Sequence, residues 1–130
     1  MTGIDTNILV RFFTKDDLEQ GSRVADFMRD LRPESPGFVS LVSLIESVWV
    51  LRSKYRLSKA ELVPCLEQLL NSRELVVEND TAVASALRRF SQFKADFADC
   101  LIERSGAAAG CRETVTFDED AARYAGMRLL

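Results

Sequence analysis

The sequence predicts an α/β protein in which a short parallel sheet is flanked by helices. Three observations carry that expectation. Short β-branched runs ("FVS", "ELVV", "TVTF") alternate with amphipathic stretches of helical period. Capping residues stand in front of those stretches. The length of 130 residues, 47% apolar and 28% charged, suits a core held without disulfides or a structural metal, so a single domain over residues 1–130 is expected.

The elements follow in order. "TGID" opens as a short strand, and "TNILVRFF" continues as a helix with Ile8, Leu9, Phe12 and Phe13 at helical spacing. Asp17 and Gln20 make a capping-box pattern before "GSRVADFMRDL", where Val24, Phe27, Met28 and Leu31 keep the period. "RPESPG" ends that helix. "FVS" is the next strand and leads into a helix from about Val42 to Tyr55. Ser58 and Glu61 repeat the capping box and start a helix towards Leu70, with Leu62, Leu66, Leu69 and Leu70 inward. "ELVVEN" reads as a strand. Asp80 is expected to cap "TAVASALRRF" and Asp96 to cap "FADCLIERSGAAAG"; "TVTF" is a strand and "DEDAARYAGM" a closing helix.

Composition excludes several chemistries. Histidine is absent, which removes triads with a histidine base, histidine-ligated zinc and paired-histidine ribonuclease chemistry. Any hydrolysis must use carboxylates, lysine, tyrosine or a metal held by oxygen. Cys65, Cys100 and Cys111 make no CxxC pair, so neither a disulfide framework nor a zinc site is expected, and they read as small buried residues of a reducing cytosol. The N-terminus lacks the basic flank and cleavage site of a signal peptide, and the most apolar stretch, "GFVSLVSLIESVWVL", is shorter than the roughly 20 residues of a membrane span. A cytoplasmic protein without a membrane partner is expected. The net charge of −3 argues against a simple nucleic-acid coating protein unless several of the acids hold cations.

The acids are therefore the informative residues. Asp5 interrupts an apolar run, and alone it reads more readily as a helix cap than as a site residue; Thr6 and Asn7 share that ambiguity. Glu46 lies on a helix whose same-face neighbours are Val42, Ser43, Trp49 and Val50, with no Lys or Arg three or four residues away. Such a carboxylate asks for a cation, a cleft or a proton, unless Ser43 is an N-cap and Glu46 its capping-box partner. Asp99 follows Asp96 by three and precedes Glu103 by four, among apolar neighbours, and Asp118 and Asp120 follow "TVTF". In open parallel sheets ligands sit beyond the carboxyl ends of the strands, where Asp5 and Asp118 stand. Clustered carboxylates repel, and a hard divalent cation is what keeps them together.

With "DTN" near the start, "SLIESVWVL" in the middle, "DFADCLI" in the third quarter and "TFDEDAA" near the end, the chain resembles the PIN-domain ribonucleases over essentially its whole length. The similarity is to the short VapC-type toxins of bacterial toxin-antitoxin pairs. It implies a three-layer α/β/α sandwich and an acidic quartet on Asp5, Glu46, Asp99 and Asp118, with Asp96 as a further acid and Thr6, Asn7 and Thr116 as polar positions around the site. It also implies Mg²⁺ or Mn²⁺ as cofactor, RNA as substrate, a small antitoxin covering the groove, and a homodimer. Only "RLL" remains for the final edge strand of many relatives.

The residues themselves leave two other readings open. One is a Mg²⁺-dependent phosphatase with Asp5 as nucleophile, although "DTN" lacks the second aspartate two positions on that the haloacid-dehalogenase type shows. The other is a non-catalytic partner-binding module that keeps its acids as caps. Arg11, Lys15, Arg52, Lys54 and Arg56, and "RRF" with Lys94, are the candidate RNA contacts. Most of the eight Phe fall at core spacing, so no aromatic stacking platform is expected.

Overall fold

The computed structural model describes all 130 residues, Met1 to Leu130, and contains seven helices and five short strands. Every strand pairing is parallel, as the expected α/β class requires. The chain divides into two compact units, Met1–Glu78 and Asn79–Leu130. No helix is long and apolar enough to cross a membrane.

In the first unit, β1 (Thr2–Gly3), β2 (Gly37–Val39) and β3 (Leu75–Val77) form a sheet in that order. α1 (Thr6–Phe13) and α2 (Leu18–Asp30) connect β1 to β2, and α3 (Leu41–Ser53) and α4 (Lys59–Asn71) connect β2 to β3. The core collects Ile4, Leu9, Val24, Val39, Leu44, Leu51, Leu62 and Leu66. Gly37 is closely packed: a Cβ there would stand 2.5 Å from Ile4 Cδ1 and 3.1 Å from Leu31 Cδ1 and Leu75 Cδ2, so a side chain in the sheet's middle strand would require the ends of these side chains to shift.

In the second unit, α5 (Asp80–Gln92) and α6 (Phe97–Ala108) pack through Ala82, Val83, Ala86, Phe90, Phe97 and Leu101. Phe90 and Phe97 meet edge to face with ring centroids 5.6 Å apart. β4 (Val115–Thr116), α7 (Glu119–Tyr124) and β5 (Arg128–Leu129) follow, with β4 and β5 paired. "RLL" therefore does supply a final strand. The turn into it uses Gly126 at φ +85°, a conformation that costs glycine little.

Several local expectations need correction. The N-cap of α5 is Asn79, in the left-handed region at φ 49°, and Asp80 is the first helical residue; asparagine tolerates that region better than most residues. α3 starts at Leu41 behind Ser40, whose hydroxyl accepts from Ser43 N at 3.1 Å, so Ser43 is not a cap and Glu46 is no capping-box partner. Ser58 and Glu61 do form a complete capping box. Asp17 accepts from Gln20 N, but the Gln20 side chain turns to Arg11 instead of closing the box. Only Cys100 of the three free cysteines is buried, while Cys111 is exposed. Of the phenylalanines only Phe90 and Phe97 are buried; spacing marks a helix face but not how deeply the face is covered.

Candidate functional site

The predicted acids fall into two sets, one in each unit. In the first, Asp5 ends the β1 segment and caps α1: its Oδ1 accepts from Thr6 N at 2.8 Å. The Thr6 hydroxyl donates to Glu46 Oε1, linking the start of α1 to the middle of α3 across 40 residues of sequence. Asp5, Thr6 and Glu46 are thus one connected group. Glu46 is exposed rather than enclosed by apolar neighbours, because the residues beside it on the helix, Val42 and Trp49, are themselves 78% and 68% exposed. The expectation of a costly buried charge is therefore not met. Helical spacing located the face correctly, but that face is turned to solvent.

In the second unit, Asp96, Asp99 and Asp118 interact. Asp96 occupies the N-cap position of α6 without making the side-chain cap bond, so both of its oxygens are uncommitted. Asp99, in the first turn of α6, is half-buried, and burial is the main reason its carboxyl is held above the usual carboxylate range. The charges of Asp96 and then Asp118 push it in the same direction. Asp118 caps α7 through Oδ1, which accepts from Ala121 N at 2.9 Å, while its own N–H donates to the Thr116 hydroxyl at 3.0 Å. Glu103, the like-charged neighbour of Asp99 along the helix, is instead paired with Arg104.

The cap bonds and the remaining carboxylate oxygens can be counted separately. A carboxylate has two oxygens, and Asp5 and Asp118 each give one to a helix N-terminus; the other oxygen of each makes no protein hydrogen bond. Asn7 also makes no side-chain bond and lies on the exposed surface of α1. The donors are of the right kind for a hard cation, being carboxylate oxygens with no nitrogen or sulfur among them. They are not drawn to ligand spacing, since no group of three Asp, Glu or Cys side chains stands where it could hold a metal ion. The repulsion around Asp99 is what a bound cation would relieve.

The basic residues are sorted less simply than the sequence suggested. Arg11 is engaged in the fold: its guanidinium donates to Asp16, to Gln20 Oε1 at 2.8 Å and to the Tyr55 hydroxyl at 3.3 Å. Arg52 donates to Leu57 O, and Arg89 to Tyr124 O. Lys54 lies over the Tyr55 ring, 5.5 Å from its centroid. Arg23 on α2 borders a cavity together with Asn7 and Arg11, a placement that a lone base on an amphipathic helix does not signal in sequence.

Comparison with known proteins places the chain in a family. The VapC ribonuclease of Aquifex aeolicus (strain VF5) is 25% identical to this chain over 115 residues, which is 88% of this chain and 84% of that protein. The profile of the PIN domain family matches residues 4–127, a span that takes in all of Asp5, Glu46, Asp99 and Asp118 and both compact units. The chain belongs to the PIN-domain family.

Proposed function

We propose that this protein is a metal-dependent endoribonuclease that hydrolyses phosphodiester bonds in RNA, acting as the toxin of a toxin-antitoxin pair. The observation that carries the reading is Asp99, half-buried between the charges of Asp96 and Asp118 with no cationic group among the causes of its shift, in a PIN-family chain. The similar protein from Aquifex aeolicus is named a ribonuclease, which supports RNA as the substrate class. In this reading the two compact units are parts of one PIN domain, the partner is a small antitoxin that covers the groove, and the protein works in the cytoplasm as a homodimer.

Asp5, Asp99 and Asp118 would hold the metal, with Asp96 adding negative charge beside them. Mg²⁺, or Mn²⁺ in its place, supplies polarisation of a phosphoryl oxygen and a water of lowered pKa. Glu46 orients the attacking water: the Thr6 hydroxyl occupies Oε1 and fixes the carboxylate, leaving Oε2 to accept a proton. Thr116 holds the backbone N–H of Asp118 and so sets the direction of that carboxylate. With no histidine in the chain, protonation of the leaving oxygen falls to water.

The test is a Mg²⁺ and Mn²⁺ titration of wild type and Asp5→Asn against a panel of structured RNAs, with EDTA controls. The expected result is metal-dependent cutting by wild type alone. Metal binding without cutting of any RNA would remove the nuclease. Neither binding nor cutting would favour the module reading, which the cap bonds of Asp5 and Asp118 support.

A further inference from the structure

Two cavities lie on either side of α1 in the first unit, and both are bordered by Asn7 and Arg11. The larger, about 340 Å³, lies between α1 and α2 and has Ile8, Phe27, Gln20 and Arg23 among its walls. The smaller, about 160 Å³, lies towards α3 and carries Lys54 and Tyr55. Neither wall contains an acid, in a chain whose acids outnumber its bases 20 to 17. Thr6, which bonds Glu46, borders the smaller one.

The larger cavity falls at the low end of the roughly 300–1,000 Å³ that small-molecule sites occupy, and it has their character: an apolar floor with a few polar groups at the rim. Its charge asks for an anion. Arg11 is already neutralised by Asp16, so the cation left for a ligand is Arg23, whose side chain makes no hydrogen bond or ion pair in the protein. The Asn7 amide is likewise unspent, and an amide presents the donor and acceptor that a base edge requires. Apolar floor, amide and guanidinium together match the base, edge and phosphate of one nucleotide.

We infer that the cavity between α1 and α2 is a nucleotide subsite for single-stranded RNA. The base lies against Ile8 and Phe27, Asn7 meets its edge, Arg23 binds its phosphate, and Lys54 meets the next phosphate across Asn7. The inference rests on the ribonuclease reading for its substrate class, and it places substrate selection on α1 and α2, apart from the acids that do the chemistry.

The experiment uses the full chain in EDTA, so that binding is read without cutting. The four nucleoside 5′-monophosphates and short single-stranded RNAs of each base are titrated while the backbone amide resonances of Ile8 and Phe27 are followed. Saturable shifts of both are expected. Arg23→Ala is expected to weaken RNA binding about 3- to 10-fold and to lower the slope of log K against log salt by about one. Asn7→Ala is expected to narrow the difference in affinity between bases. Unchanged binding by Arg23→Ala, or resonances that stay still, would overturn the subsite even if wild type cuts RNA. Saturable shifts in a protein that never cuts would sustain the subsite and remove the nuclease. Shifts that follow protein concentration without nucleotide would assign the cavity to a second copy of the chain and overturn the inference.

Discussion

Asp16 and Asp99 are carboxylates in opposite circumstances. Asp16 receives the Tyr55 hydroxyl at 2.8 Å, the Arg11 guanidinium and the Thr14 hydroxyl, and its carboxyl is held below the usual range chiefly by the Tyr55 bond. Asp99 receives no such donor, and burial followed by two neighbouring acids raises it. The first acid has its partners within the fold: it ties the segment after α1 to the segment after α3 through side chains 39 residues apart in sequence. The second has only repulsion. An acid satisfied by donors explains itself structurally, whereas one kept among other acids is a candidate to meet a ligand from outside.

The largest effect should come from removing the unsatisfied charge. Asp99→Asn is expected to lower metal-dependent RNA cutting by about 100-fold or more, the scale on which a transition-state electrostatic contact acts. The same substitution should raise the melting temperature of the metal-free protein and abolish the further rise that Mg²⁺ gives wild type. Calorimetry with and without Mg²⁺ reads both. A lower metal-free melting temperature would make Asp99 a structural acid like Asp16 and end the contrast.

Part of the site was legible in the sequence, because the helical and alternating periods located the elements, put Asp5 and Asp118 at strand ends and set Asp99 three residues after Asp96. The exposure of Glu46 was not legible. A helix face carrying Val42 and Trp49 looks like a core face, and only tertiary packing decides that it meets solvent. The network of Asp16 was also hidden, since Tyr55 and Asp16 come together only through the packing of α1 on α3. Cap identity turned on one backbone angle: Asp80 and Asn79 are both good capping types, and the left-handed conformation at Asn79 decided between them.

A neutral group sharpens the rule. The Ser47 hydroxyl is buried, the residue being 3% exposed, and it has no hydrogen-bond partner. It lies one residue from Glu46, yet being uncharged it attracts no metal, and nothing about it calls for an external ligand. Ser47→Ala removes the unmet donor and improves helix propensity, so it is expected to stabilise the protein by about 1 kcal/mol, roughly 3–5 °C in melting temperature. Cutting should stay within about twofold of wild type. A loss of activity with unchanged stability would show that the hydroxyl serves the Glu46 site and is not merely a packing cost.

The smallest effect is the acid limb of stability that Asp16 contributes. Its carboxyl is lowered in the folded protein, so its contribution is complete above the ordinary carboxylate pKa of about 4 and is lost as pH falls through the lowered folded value. The groups facing it are Tyr55, Arg11 and Thr14, none of them a carboxylate, so the difference between wild type and the variants is read at Asp16 itself. Because the group is solvent-exposed the effect is modest, and it is read best as a difference. Melting temperatures of wild type, Asp16→Asn and Tyr55→Phe between pH 6 and pH 2.5 should converge at the acid end, with wild type above both variants at pH 6. Parallel curves would mean that the Tyr55 bond does not depend on the charge of Asp16, and the satisfied acid would then be held by geometry alone.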